Sequence, residues 1–361
     1  MSKTITPPNQ NTGNQLIRQS NNELLRIVCM FFIMFHHFII HSIFPDVVHS
    51  DSALDTGTAV ATLTEGFLYI GVNCFVLISG YYQIRLRWRS IFNIFLVCAF
   101  YGLIEYFFHL WHDNANIGMG VINYSILILS HGNWWFIHCY VILMLLSPIL
   151  NAAIKQLPQK QLFYIIICLT ICQVYFGYFW QIPLYDTSGY HFLQFVYLYV
   201  IGSYLRRYTR PEKRSRSKYF AVYAVCALIW GVLTCLGHKY DLTSFWWAFN
   251  YNNPILVIEA IAFFLLFQTF SFKSPVVNKL AVGTLAAYLL QDGVYSRSLW
   301  YDTAARLTAT AIWPVKLLAS LLFSVVFLIV VMYADQLRIR MTRPILDKIS
   351  KLDKKYPLFD D

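Results

Sequence analysis

The sequence predicts an all-α polytopic membrane protein with about ten transmembrane helices and both termini cytoplasmic. Three observations predict it. Of 361 residues, 58% are hydrophobic and only 13% are Asp, Glu, Lys or Arg, against about 25% charged in soluble domains. Mean hydropathy is +0.51, and apolar runs recur along the chain with no water-soluble core large enough to enclose them. The basic residues, finally, fall between those runs in an order that assigns each loop to one side of a bilayer.

Residues 1–20, MSKTITPPNQNTGNQLIRQS, are polar and lack the small-residue cleavage site that follows a signal peptide's apolar stretch, so they read as a disordered cytoplasmic tail. A transmembrane body over 21–340 follows, then a basic cytoplasmic tail over 341–361. Spans are expected near 24–44, 62–82, 88–110, 134–152, 161–180, 191–208, 218–238, 253–272, 279–296 and 311–336. Each has about 17 to 26 residues, the length that carries a helix across ~30 Å of hydrocarbon. Residues 120–130, with VINYSILILS, are too short to cross and read as a re-entrant or interfacial helix before the fourth span.

Charge placement supports this order independently. With ten spans, the loops on the side of the termini and the two tails hold 24 of the 28 basic residues, leaving Lys239, Arg297, Arg306 and Lys316 on the other side. The opposite loops carry acids instead, among them Asp46, Asp51, Asp55, Asp113 and Asp186. The net charge of +10 is therefore a topology signal rather than a nucleic-acid footprint. All eight cysteines lie inside apolar segments, which suggests neither a disulfide framework nor a zinc knuckle. No loop is long enough for a folded soluble domain, so any chemistry uses residues in the spans or at their ends.

Ionisable groups within spans are costly, roughly 2.5 to 3.5 kcal/mol at a helix centre on insertion scales, and each is a functional candidate. The first span is the densest, with Glu23, Arg26, His36, His37 and His41. Arg26 and His37 are eleven residues apart, so on a helix they share one face within about 20° and stand about 16 Å apart along the axis, while His36 points about 80° away. A fixed cation at the inner boundary thus lies beneath an imidazole near mid-membrane. The ordinary alternative is an arginine that snorkels to lipid phosphate and a histidine bonded within the packing. His37 and His41 at i, i+4 have metal-ligand spacing, but no third ligand is fixed by the sequence and no metal is expected.

The second span contributes Glu65, Asn73, Ser79 and Tyr81, then delivers Arg85, Arg87 and Arg89, whose guanidinium groups suit bidentate phosphate contacts. At the fourth, Trp134 and Trp135 have the place of an outer interfacial belt, with His138 one turn deeper. Glu105, Glu259, Gln291 and Asp292 are further polar residues in spans.

Taken together these residues resemble the integral-membrane acyltransferases of the acyltransferase-3 group, which modify sugars on bacterial surface polysaccharides. The likeness rests on Arg26, ten residues, then His37; on GVNCFVLISGYY at 71–82 followed by basic residues; and on NWWFIHCYVILMLLSPILN at 133–151. FLQFVYLYVIGSYLRRY at 192–208, YNNPILVIEAIAFFLLF at 251–267 and LAVGTLAAYLLQD at 280–292 extend it over nearly the whole chain after the tail. The resemblance implies a bacterial cytoplasmic (inner) membrane enzyme that takes an acyl group, usually acetyl, from cytoplasmic acetyl-CoA or another short acyl-CoA. The acceptor is a glycan or lipid-linked sugar hydroxyl. It implies that His37 and Arg26 are essential, and that Arg85, Arg87 and Arg26 bind the donor. Gln291 stands where many relatives have His.

On that reading, neutral His37 serves as general base on the acceptor hydroxyl, or carries the acyl group itself in a variant mechanism. Asn73, Ser79, Tyr81, Trp135 and His138 are candidate oxyanion or acceptor contacts. The rival class is a secondary transporter or channel with an intramembrane His/Arg pathway, for which internal duplication would be expected and none is found. A third is a flippase or assembly subunit without chemistry of its own.

Overall fold

A computed structural model describes residues 20–48, 54–112, 134–182, 188–211, 214–242 and 248–359. The expected tail over residues 1–20, except Ser20, and the short segment 120–130 lie outside the described residues. Every described element is helical. In chain order these are α1 (Ser20–Phe38), α2 (Thr56–Leu68), α3 (Gly71–Tyr82), α4 (Trp88–His112), α5 (Trp135–Gln156), α6 (Gln159–Cys172), α7 (Phe192–Tyr208) and α8 (Arg216–Lys239). The remainder are α9 (Pro254–Gln268), α10 (Pro275–Leu280), α11 (Thr284–Gln291), α12 (Ser296–Thr308) and α13 (Trp313–Lys355). Two helices widen at their ends into π turns, α1 over Ile39–Ile43 and α6 over Gln173–Phe179.

Among the described residues seven helices are long and apolar enough to cross a membrane. They stand where the first five, the seventh and the tenth spans are expected, with α2 and α3 joined into one. The other three positions also hold helices, but shorter ones. α7 has 17 residues and α9 has 15. The ninth is divided into α10, a 3-10 turn over Ala281–Gly283, and α11. Their brevity follows from enclosure: most of α7 and α9 is buried among other helices, so their ends meet protein rather than the bilayer surface. The lipid-facing helices instead expose large apolar side chains, for example Leu228, Val232 and Leu236 on α8 and Leu322, Val326 and Ile329 on α13.

Hydrogen bonds fix which ends lie together. Ser20 Oγ donates to Ser274 O at 3.4 Å, Asn22 Nδ2 to the Tyr82 hydroxyl, and Gln336 Nε2 to Lys279 O at 3.3 Å. The start of α1, the ends of α3 and α9 and the latter part of α13 therefore share one end of the bundle. At the opposite end Ser42 Oγ donates to Tyr301 O at 2.6 Å, and the Trp313 side chain packs against Gly57. Asp55 caps α2 there by accepting from Thr58 N at 2.6 Å, a bond that holds its carboxyl below the usual carboxylate range.

Residues 341–355 of the expected C-terminal tail continue α13, which is 43 residues long. Asp353 accepts from the backbone N–H groups of Trp88 and Arg89 at 2.7 and 3.0 Å, capping α4, and Arg89 reaches Asp347 at 3.2 Å.

The tightest helix contact pairs α3 with α7. At Gly80 a Cβ would strike the Tyr199 backbone, and at Gly202 it would strike the carbonyl of Leu77. Ser203 Oγ donates to Gly80 O at 2.8 Å across the same seam. Gly202→Val is expected to separate the two helices and cost about 3 kcal/mol or more. Thermal unfolding of the detergent-solubilised protein measures the loss.

Candidate active site

α1 carries the central side chains because it packs against α3, α9, α11 and α13. Consecutive residues on a helix project about 100° apart, so His36 and His37 face different neighbours. His36 faces α2, where its Nδ1 lies 2.6 Å from Glu65 Oε2 and both side chains are buried. Tyr69 meets the His36 ring edge-on at 4.9 Å, and Phe249 stacks on it at 6.4 Å.

His37 faces α11. Its Nδ1 lies 3.1 Å from Gln291 Oε1, and Gln291 Nε2 donates to Met34 O at 3.1 Å. The second bond orients the amide, since only its nitrogen can donate to a carbonyl. Gln291 therefore presents its oxygen to the ring. Nδ1 carries the proton and donates, which leaves the lone pair of a neutral imidazole on Nε2.

Beyond His37 the π turn brings His41 to 5.5 Å from the His37 ring and 5.6 Å from Tyr301. Such turns recur at functional sites because they re-aim side chains. Arg297, exposed near the start of α12, is within electrostatic range of both His37 and His41. Glu105 on α4 holds that helix start in place by accepting from Tyr295 N and Ser296 N at 3.1 and 3.0 Å. Among the described residues no group of three His, Cys, Asp or Glu has a metal-binding arrangement.

An aromatic wall closes the His36 side. Tyr69 stacks on Tyr251 at 4.7 Å with planes 3° apart, and Trp135 lies 4.5 Å from Tyr190 and 5.5 Å from Tyr251. The belt expected of the paired tryptophans is corrected here. Trp134 is only 4% exposed and donates Nε1–H to Leu289 O at 3.1 Å, because a left-handed backbone at φ 56° turns it inward. Trp135 packs into the wall.

The remaining expected residues separate by depth. α1 and α2–α3 run antiparallel: Glu65 meets His36, Gly71 meets Cys29 and Ile33, and Tyr82 meets Asn22. Asn73 is thus about two turns from His37 toward the Ser20 end, and Ser79 and Tyr81 three turns or more. Asn73 Nδ2 donates to Tyr251 O at 3.0 Å, Ser79 Oγ to Phe75 O at 3.0 Å, and Tyr81 lies beneath Arg206. His138 Nε2 is buried without a hydrogen-bond partner.

At the Ser20 end, Arg26 pairs with Glu23 at 3.2 Å and keeps its side chain about a third exposed. Arg85 and Arg87 are exposed on the extended link between α3 and α4. Arg206, which the charge pattern marked only as a topology signal, sits 5.0 Å over Tyr81 and 5.9 Å over Tyr82. Tyr82 is itself in electrostatic range of Arg26. Four arginines from three segments therefore gather where the sequence gave reason for three. Glu65, His36 and Gln291 are the other residues whose roles the sequence left unassigned, since their partners lie on distant segments.

A family model described as an acyltransferase domain, that of the acyltransferase-3 family, matches residues 21–333. No curated protein and no solved structure matches the chain.

Glu65→Ala leaves His36 buried without its carboxylate and is expected to cost about 3 kcal/mol. Glu65→Gln keeps a hydrogen bond and costs less. The two are ranked by their unfolding temperatures in one detergent.

Proposed function

The chain belongs to the acyltransferase-3 family, and from that premise we propose that it transfers an acyl group, acetyl first among them, from cytoplasmic acyl-CoA to a hydroxyl of a cell-surface or lipid-linked glycan. On this reading it resides in the bacterial cytoplasmic membrane, crosses it ten times and keeps both termini inside. The end of the bundle holding Ser20 and the four arginines then faces the cytoplasm, and His41 and Arg297 face the other side.

The observation that carries the proposal is the hydrogen-bonded state of His37. With Nδ1–H committed to Gln291 Oε1, Nε2 is the basic atom. It takes the proton of the acceptor hydroxyl as that oxygen attacks the thioester carbonyl. The new C–O bond forms, the C–S bond breaks, and the imidazolium returns its proton to the departing CoA sulfur. Gln291 steadies the imidazolium during the step by continuing to accept from Nδ1–H, and it does so without adding a charge.

Arg26, Arg85 and Arg87 are assigned to the phosphates of the donor, with Arg206 beside them. α1 is uninterrupted between Arg26 and His37, so the rise of about 16 Å applies, of the order of an extended pantetheine arm. Asn73 and Ser79 already donate elsewhere, which leaves Trp135 and His138 as the favoured oxyanion or acceptor contacts.

Inside-out vesicles given radiolabelled acetyl-CoA are expected to label a sugar acceptor, and His37→Ala to reduce that rate by about 100-fold or more. Unchanged labelling in that variant contradicts the assignment. Gln291→Leu removes one hydrogen bond to the imidazolium and is expected to lower kcat about tenfold with little change in the donor KM. Arg85→Ala combined with Arg87→Ala has the opposite signature, a raised KM for acetyl-CoA with kcat largely kept. Initial rates against donor concentration distinguish the two.

A further inference from the structure

A cavity of about 280 Å³ opens sideways between α6, α7 and α9, on a different face of the bundle from His37. Its walls are apolar, with Ile166, Ile201, Val257 and Ile261 inside, and Phe163 and Ile258 at the mouth are 46% and 54% exposed. The polar groups gather toward one end. Asn252 precedes α9 and Gln173 begins the π turn of α6, both at the end away from Ser20, and the Thr170 and Tyr197 hydroxyls meet at 2.9 Å just below.

Asn252 is the informative residue. It is 1% exposed and lines the cavity, yet neither its Nδ2 nor its Oδ1 has a hydrogen-bond partner. Buried amides are almost always paired, because an unpaired one forfeits its hydration without compensation. A ligand that offers an acceptor and a donor at this level removes the deficit. The volume lies near the lower bound of small-molecule pockets, ~300 Å³, enough for one hydrocarbon chain without a sugar ring beside it.

We propose that this slot binds a single-chain membrane amphiphile, with the ester and hydroxyl at the root of its chain bonded to Asn252 and the chain lying down the groove past Val257 and Ile261. In the orientation proposed above, the polar end of the slot faces the outer leaflet, which matches a lipid with its head outward. The occupant lies one residue from Tyr251, whose carbonyl accepts from Asn73 and Gln194 and whose ring forms part of the wall beside His36. The inference concerns binding alone and stands apart from the acyl-transfer reading.

The test uses the full chain in phosphatidylcholine vesicles with trace 1-acyl lysophosphatidylglycerol carrying a diazirine in its chain, photolysed and mapped by mass spectrometry. Labelling of the segments 163–174 and 254–261 is expected to saturate and to be displaced by excess unlabelled lysophosphatidylglycerol. Ile258→Trp at the mouth should abolish it. Asn252→Leu, which removes no existing bond, should weaken the competitor's apparent affinity about fivefold to tenfold while the protein stays folded. Labelling that does not saturate, matches that of the lipid-facing surface of α8 and ignores both variants overturns the proposal.

Discussion

Two adjacent imidazoles on a membrane-buried helix must each find a hydrogen-bond partner, and the centre of this protein is organised around that requirement. One helix cannot supply both, because neighbouring side chains leave it about 100° apart. His36 takes a carboxylate from α2 and His37 takes an amide from α11. The amide is in turn held by a carbonyl of α1 itself. Two distant segments of the chain are thereby pinned to the same turn of α1, one on each side.

The difference between the partners separates the roles. A carboxylate 2.6 Å from His36 in a fully buried setting ties that ring into the packing, where Tyr69 and Phe249 cover it. An uncharged amide beside His37 fixes a tautomer while leaving the other nitrogen basic, which suits a ring that gains and loses a proton in turnover. The surrounding architecture permits this arrangement. α7 and α9 are short because they are enclosed, α3 and α7 meet backbone to backbone at Gly80 and Gly202, and the helix containing Gln291 begins only after a 3-10 turn.

Much of the fold was legible in the sequence because apolar length and basic-residue placement are local signals. Helices stand at all ten expected positions, although the short enclosed ones differ from lipid-facing spans in length. The face shared by Arg26 and His37 was legible too, being a matter of periodicity within one helix. Partnerships across helices were not. Glu65 and Gln291 were visible as polar residues in apolar runs, but nothing in their spacing told which histidine each would meet. Trp134 misled because tryptophans at a span's start usually mark an interface, whereas here a left-handed residue turns the ring inward. Arg206 was hidden among seven basic residues of one loop, and only packing brings it over Tyr81. Glu259 shows the same limit from the other side, a carboxyl that the structure buries on α9 with both oxygens unpaired.

The central claim is that His37 Nε2 is the atom at which donor and acceptor meet. An experimental structure with a non-transferable acyl-CoA analogue, its thioester sulfur replaced by methylene, tests it most directly. The account predicts the analogue's carbonyl carbon within about 4 Å of His37 Nε2, with its phosphates among Arg26, Arg85 and Arg87. A carbonyl seated against His36, or phosphates bound away from those arginines, would contradict it.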